Sequence, residues 1–384
     1  MFSNNLITKF NSLDTPFYFY DLELLDKTLS ILSKCIYDNY NVYYAIKANN
    51  NRSIIDKINK YKFGIDAVSI NEIIKAIDLG FDSKKIVFAG VGKTEKEIEL
   101  AIQKNIYLFN CESIQEIELI DKISYKMKKK SDLAVRLNPN IDSMTHKYIK
   151  TGIYDSKFGI QIKDLPILIE KINDLQNITL KGFHFHLGSQ INDFSVFSKL
   201  AEVANDVNKY FMDKGFNIQD INLGGGLGIN YEDPDNNLIP DFKSYFNLFK
   251  KELKVFDGQK IHFELGRSIV AQSGSLISRI LYIKNSFNRN FLILDAGMTE
   301  LIRPALYNSF HHIQNLSSNE KKIKYDIVGP LCESSDTFIK DFYLNKADSG
   351  NLLAIRSVGA YGEVMSSNYN LRKKAPSYYS DNFL

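Results

Sequence analysis

Eight short apolar runs are spaced along the first two-thirds of the chain, and each ends in a polar or glycine-rich turn. They are NVYYAIK (41–47), FGIDAVS (63–69), KIVFAG (85–90), NIYLFN (105–110), DLAVRLN (132–138), LKGFHFH (180–186), DINLGG (220–225) and KIHFELG (260–266). Runs of this length, rich in β-branched and aromatic residues, predict strands. Between them, EIIKAIDLG (72–80), KEIELAIQK (96–104) and SIQEIELIDKI (113–123) repeat apolar residues at i, i+3, i+4 spacing and predict helices. The first of these closes on a glycine, as helices often do. Strands alternating with helices predict an α/β fold, a (β/α)8 barrel over residues 21–272, with a doubly wound sheet as the structural alternative. Lys47, Asp66, Arg136, His186, Gly224 to Gly226 and Glu264 all stand at the same end of their runs. That convergence favours the barrel, whose enzymes build their sites from the C-terminal ends of many strands.

Beyond residue 272 the pattern changes. SGSLISRILYIKN, NFLILDAG, KYDIVGP and GNLLAIRSVGAYG read as strands separated by turns, without long helices. They predict a mostly β domain over 273–384, to which residues 1–20, with PFYFYD, add a strand.

Composition narrows the field rather than pointing to a function. The chain has 384 residues, 44% hydrophobic and 24% charged, an ordinary globular balance with room for two domains. A net charge of +3 predicts no field suited to nucleic acid or a membrane surface, and the basic run 126–130 reads as a solvated helix end. Cys35, Cys111 and Cys332 are too scattered for a disulfide framework or a zinc cluster. With no long apolar run near the start and none of membrane-spanning length, a cytoplasmic protein is expected.

The candidate chemistry begins at Lys47. An apolar run delivers it to a strand end, where neighbours able to depress its pKa would suit it to form a Schiff base with an aldehyde. Taken alone it reads first as a surface lysine after an edge strand, since lysines are mostly exposed, and the rest of the chain reverses that reading. His184 and His186 alternate, so strand pleating would aim them the same way. A metal pair, an imidazole stacked on an aromatic cofactor, and a buried structural histidine (His184 above all) are the readings; no acidic or cysteine cluster supports the first. GGGLG (224–228) would let backbone N–H groups approach a phosphate, or would serve only as a turn. Glu264 is either a surface glutamate or a carboxylate facing a pyridine nitrogen, which would keep that ring an electron sink.

Together these motifs resemble the fold-type III enzymes that use pyridoxal 5′-phosphate (PLP), an alanine racemase-like fold, and within them the diaminopimelate decarboxylase family. The resemblance runs from TPFYFYD through RLNP and THKYIKTG (145–152) to GAYGEVMSSNYNLR (359–372). It implies that Lys47 carries PLP, His186 stacks on its ring and Glu264 faces its nitrogen. Ser189, Gly225, Gly226, Gly266, Arg267 and Tyr361 are implied to hold the cofactor, chiefly at its phosphate. In DAGMTELIRPALY (295–307), Arg303 and Tyr307 are implied to bind substrate, with Arg267 and Tyr361 beside them. In VGPLCESSDTF (328–338), Cys332 is the implied proton donor and Glu333 a substrate contact, reaching the site of a second subunit in a homodimer. Two departures stand out: Leu265 replaces the family's proline in E-P-G-R, and few residues follow Arg372.

The implied reaction is decarboxylation of meso-2,6-diaminopimelate to L-lysine and CO2. Arg267 and Arg303 suit the distal carboxylate and Glu333 the distal ammonium. Decarboxylation of ornithine, lysine, arginine or a carboxylated polyamine is the runner-up, disfavoured because a buried arginine would be left unpaired. A racemase would resemble its class in placing arginine where Glu264 stands. A non-catalytic homologue would be expected to lose Lys47 or Cys332.

Overall fold

The computed structural model describes residues 2–141 and 156–383, so the THKYIKTG stretch lies outside the described residues. Strand β1 (Phe17–Tyr20) precedes β2 (Tyr40–Ala45), β3 (Gly64–Ala67), β4 (Ile86–Phe88), β5 (Leu108–Cys111) and β6 (Ser131–Asn138). A two-residue β7 (Ile160–Gln161) extends the end of β6, and β8 (Ile178–His184), β9 (Asp220–Asn222) and β10 (Lys260–Leu265) follow. Each of β2 to β6 pairs in parallel with the next; β6 pairs with β8, β8 with β9, and β9 with β10. The circuit closes where β10 pairs with β2, Leu265 opposite Tyr44. The architecture is therefore the (β/α)8 barrel and not the doubly wound sheet.

Local chemistry starts the outer helices where the pattern predicts. Ser69 and Ser113 each accept the N–H three residues on, at Glu72 and Glu116, and Thr94 forms a reciprocal capping box with Glu97. Each helix then lays its apolar stripe on the barrel, as Ile54, Ile55 and Ile58 do from helix Arg52–Asn59. The expected runs overshoot at several ends. Asn105 is the left-handed cap of the preceding helix, with φ 56°, so its strand begins only at Leu108. The strands ending at Ala45, His184 and Asn222 stop short of Lys47, His186 and the glycines, which lie in the turns beyond.

The sheet domain contains β11 (Gly274–Ser286), β12 (Arg289–Leu294), β13 (Ile313–Asn315), β14 (Lys322–Val328), β15 (Thr337–Asn345), β16 (Leu352–Ile355) and β17 (Ser377–Tyr379). Their order is β13-β16-β11-β12-β14-β15, with β1 between β11 and β17. The short C-terminus thus closes with a three-residue strand and a 3₁₀ turn, Ser380–Phe383. Among the described residues no helix is long and apolar enough to cross a membrane.

One buried asparagine ties this domain to the barrel beside Lys47. Asn49 Nδ2 donates to Gly359 O (2.8 Å) and Tyr20 Oη (3.1 Å), and its Oδ1 accepts the Asn51 N–H (2.9 Å). Removing such groups leaves buried partners unmade. Asn49→Ala is expected to lower unfolding free energy by about 2–4 kcal/mol, read by denaturant titration.

Candidate active site

The site lies at the C-terminal mouth of the barrel. The opposite end is filled by Tyr43, Tyr107, Asp220 and His262, with His262 Nε2 2.6 Å from Asp220 and the Tyr107 hydroxyl 2.9 Å from it. At the open end, β2 gives way to a 3₁₀ turn over Ile46–Ala48, which the Tyr44 hydroxyl braces by donating to Asn49 O (2.7 Å). This turn presents Lys47 Nζ to Asp66 Oδ2 at 3.0 Å, across the register that sets Ala45 against Asp66. Asp66 is fully buried, whereas the Lys47 side chain keeps 34% exposure and can be reached from the cavity.

The expected depression of the Lys47 pKa is not found. Burial pushes it down, but Asp66, Tyr361 and Glu264 outweigh burial and raise it above the ordinary lysine value. The sequence run showed apolar neighbours; the carboxylate opposite comes from the next strand.

Glu264 is neither exposed nor alone. Its Oε1 accepts from Asn222 Nδ2 (2.8 Å) and Asn110 Nδ2 (3.1 Å), and its Oε2 lies 3.1 Å from His184 Nε2. Burial pushes its pKa up, but His184, then His186 and Lys47, prevail and hold it well below the ordinary carboxylate range. His184 is thus a buried partner of Glu264. His186 sits past the strand end, and its Nδ1 accepts the Gly225 N–H at 3.2 Å. Burial, Arg136 and Lys47 lower its pKa well below the usual value, so the imidazole is neutral. Among the described residues no group of three or more metal-ligating side chains converges.

Around this centre the backbone comes close. A Cβ on Gly225 would lie 2.0 Å from Glu264 O, and Gly226 has φ +107°, so side chains are excluded where the loop approaches the site. Arg267 donates from Nε and Nη2 to Ser189 Oγ (3.1 and 2.9 Å) and from Nη1 to Tyr231 Oη (2.5 Å). Its guanidinium lies 5.0 Å from the Tyr361 ring, and the Tyr361 N–H donates to Ala48 O. Lys47, His186, Ser189, Gly226, Glu264, Gly266, Arg267 and Tyr361 line one cavity. Leu265, at the family's proline position, is buried at 1% exposure and lines the same cavity.

A larger adjoining cavity of about 760 Å³ is lined by Arg303, Tyr307 and Tyr231. Arg303 is buried, on the short helix Arg303–Tyr307, and among the described residues neither it nor Arg267 forms a salt bridge. Cys332 and Glu333 are not part of either cavity. They lie exposed between β14 and β15, with Glu333 Oε1 accepting from the Tyr369 hydroxyl at 2.6 Å. Asp336 shapes that loop by accepting the N–H groups of Leu331 and Met298, both at 2.7 Å. Asp66 and Arg136 do not meet: Arg136 pairs with buried Glu112 at 2.5 Å.

Asn110, Asn222, Glu112 and Tyr231 escaped the sequence reading. For the two asparagines a signal existed, since each is a polar residue inside or ending an apolar run. Glu112 and Tyr231 carry none, because only the closed barrel brings their partners near.

Fold and site together define a pyridoxal-dependent decarboxylase: residues 24–271 match the family model of the pyridoxal binding domain of these enzymes. The chain is 45% identical over 377 residues to diaminopimelate decarboxylase of Bacteroides thetaiotaomicron, covering 98% of each. It is 38% identical to that of Aquifex aeolicus over 96% of this chain and 87% of the relative. The crystal structure of diaminopimelate decarboxylase from Helicobacter pylori complexed with L-lysine superposes with TM-score 0.90 and 36% identity, covering 97% of this chain and 93% of that one. The chain belongs to the diaminopimelate decarboxylase family.

The depressed Glu264 pKa has a measurable consequence. A carboxyl whose folded pKa is lowered adds stability above its unfolded value, near 4.5, and loses it as pH falls toward the folded value. Glu264→Gln lacks that component. Its stability should therefore fall short of the parent near neutral pH and approach it below pH 4.5, as read from melting temperature against pH.

Proposed function

We propose that the protein decarboxylates meso-2,6-diaminopimelate to L-lysine and CO2, the final step of lysine biosynthesis, with PLP as cofactor. The observation that carries the substrate choice is the pair Arg267 and Arg303, two buried guanidiniums, one on each of two adjoining cavities and each 5.8 Å from the Tyr231 ring, with no carboxylate of the described residues paired to them. A dicarboxylic diamine supplies what they lack.

The residues present fit the cofactor. Lys47 is a reachable amine for its aldehyde, and Glu264 a buried, ionised carboxylate for its pyridine nitrogen. Glycine amides, Ser189, Arg267 and Tyr361 form a donor-rich cradle for its phosphate. When bound, PLP supplies an electron sink for the pair of electrons left as CO2 departs. Lys47 would hold the cofactor through its aldehyde carbon and is the amine whose place a substrate amine would take. Asp66 keeps the Lys47 amine oriented, and Glu264 holds a proton at the ring nitrogen. Neutral His186 offers a flat face beside them. Arg303 and Arg267 orient the distal carboxylate, Tyr307 lines the same cavity, and Glu333 reads the distal ammonium. Cys332 replaces the lost carboxylate with a proton at the α-carbon.

Cys332 and Glu333 stand outside both cavities of the proposed site in their own chain. We therefore propose a homodimer in which the loop after β14 completes the partner's site. Three free cysteines support a reducing, cytoplasmic setting.

A CO2-release assay across diaminopimelate, lysine, ornithine and arginine tests the substrate; preference for any of the last three would overturn it. Lys47→Ala should lose the visible absorbance of bound PLP and nearly all turnover. Mixing Lys47→Ala with Cys332→Ala should recover activity through hybrid dimers, and no recovery despite measured subunit exchange would place both residues in one chain. Arg303→Ala should lose about one to two decades of kcat/KM for diaminopimelate and narrow the gap to lysine. An unchanged substrate ratio with a lowered melting temperature would assign Arg303 to structure alone.

A further inference from the structure

Among the described residues nothing acidic holds Arg303, yet its guanidinium has a fixed partner. Its Nε–H donates to His311 Nε2 at 3.3 Å. A guanidinium has no lone pair to offer, so His311 Nε2 must be the acceptor and Nδ1 must carry the ring proton. Nδ1 lies 2.9 Å from the Arg356 carbonyl oxygen, which accepts that proton. The two contacts specify one tautomer of a neutral imidazole, 3% exposed. Burial, with Arg303 and Arg267 nearby, lowers the His311 pKa to about 3, in keeping with that state.

The ring also has a mechanical setting. Its edge meets Tyr231 at 4.9 Å and 75°, and the Tyr231 hydroxyl accepts from Arg267. His311 therefore stands as a neutral acceptor that holds Arg303 without neutralising it, while Tyr231, whose pKa Arg267 and Arg303 lower against the effect of burial, accepts from Arg267. A carboxylate in the place of His311 would pair with Arg303 and quench it. With Nε engaged, the terminal nitrogens of Arg303 have no acceptor among the described residues and border the 760 Å³ cavity.

We propose that His311 is a positioning residue for substrate selection: it fixes Arg303 as a charged, unquenched fork facing the cavity. This rests on the reading of Arg303 as a distal-carboxylate contact. His311 touches no reacting atom, so it governs how well diaminopimelate is held rather than the chemistry at the α-carbon.

The test uses the PLP-loaded enzyme and three variants. His311→Phe keeps the ring and its edge on Tyr231 but has no acceptor. His311→Asn retains an amide near Nδ1 for the Arg356 carbonyl and lacks the acceptor at Nε2, so it carries the test if the phenylalanine variant folds poorly. His311→Gln restores an acceptor near Nε2. The first two should raise KM for diaminopimelate about tenfold or more while kcat changes by about twofold or less, and His311→Gln should recover most of the loss. Cofactor absorbance should be unchanged. In an Arg303→Ala background the same His311 changes should add little, because their effect passes through Arg303. Full additivity in that background, or a loss confined to kcat and melting temperature, would overturn the role of His311 while leaving Arg303 in place. If Arg303→Ala itself left KM unchanged, the reading of Arg303 would fall and the His311 proposal with it.

Discussion

Burying the Glu264 carboxylate is the constraint on which the rest of the site depends. An ionised carboxylate away from water is costly unless its oxygens are paired. Here the partners are Asn110, His184 and Asn222, one each from β5, β8 and β9, with Glu264 on β10. No two of these strands supply the whole set, so the carboxylate is satisfied only in the closed barrel and in this register. A one-residue slip of any contributing strand would turn its partner away. Closing the fold and ionising the group proposed to face the cofactor's nitrogen are thus one event, which explains how a carboxylate can sit at 5% exposure.

The second charge centre follows a different rule. Lys47 and Asp66 form a partly open ion pair, and the open side is the lysine. A lysine proposed to exchange partners cannot be enclosed as Glu264 is. Its 3₁₀ turn is held instead from behind, by Tyr44 through Asn49 O and by Asn49 through Gly359 O. Asn51 Nδ2 adds a contact to Glu363, at 2.6 Å. The Asn-rich turn after Lys47 therefore works as a strap onto the sheet domain, and that domain delivers Tyr361 to the same cavity.

Much of this was legible because it is periodic or local. Strand ends could be placed to within a few residues from where apolar alternation stops, and the polar residues gathered at those ends pointed to a barrel mouth. The errors share a cause. Lys47 and His186 read as strand residues because apolar neighbours continue past the last ladder pair, whereas the backbone has already turned. The Lys47 pKa was read from its own run, but its sign is set by Asp66 on the neighbouring strand. Partnerships of this kind, Glu112 with Arg136 or His311 with Arg303, join residues whose separation along the chain carries no pattern.

The charge layout also explains why the two ends of the cavity system use opposite strategies. At the cofactor end, each charge meets an opposite charge or a neutral donor: Lys47 with Asp66, and Glu264 with His184 and two asparagines. At the proposed substrate end, Arg267 and Arg303 face Tyr231, Ser189 and His311, acceptors that satisfy some N–H groups, with no carboxylate of the described residues among them. Burial works against both guanidiniums, and for Arg303 it lowers the pKa, with Arg267 adding repulsion. A carboxylate entering beside Arg303 relieves that repulsion. A ligand with one distal ammonium and no carboxylate would leave it in place and add a third positive charge. On the proposed roles of Arg267 and Arg303, selectivity for a dicarboxylate follows from what the site leaves uncompensated and needs no steric exclusion of smaller amino acids.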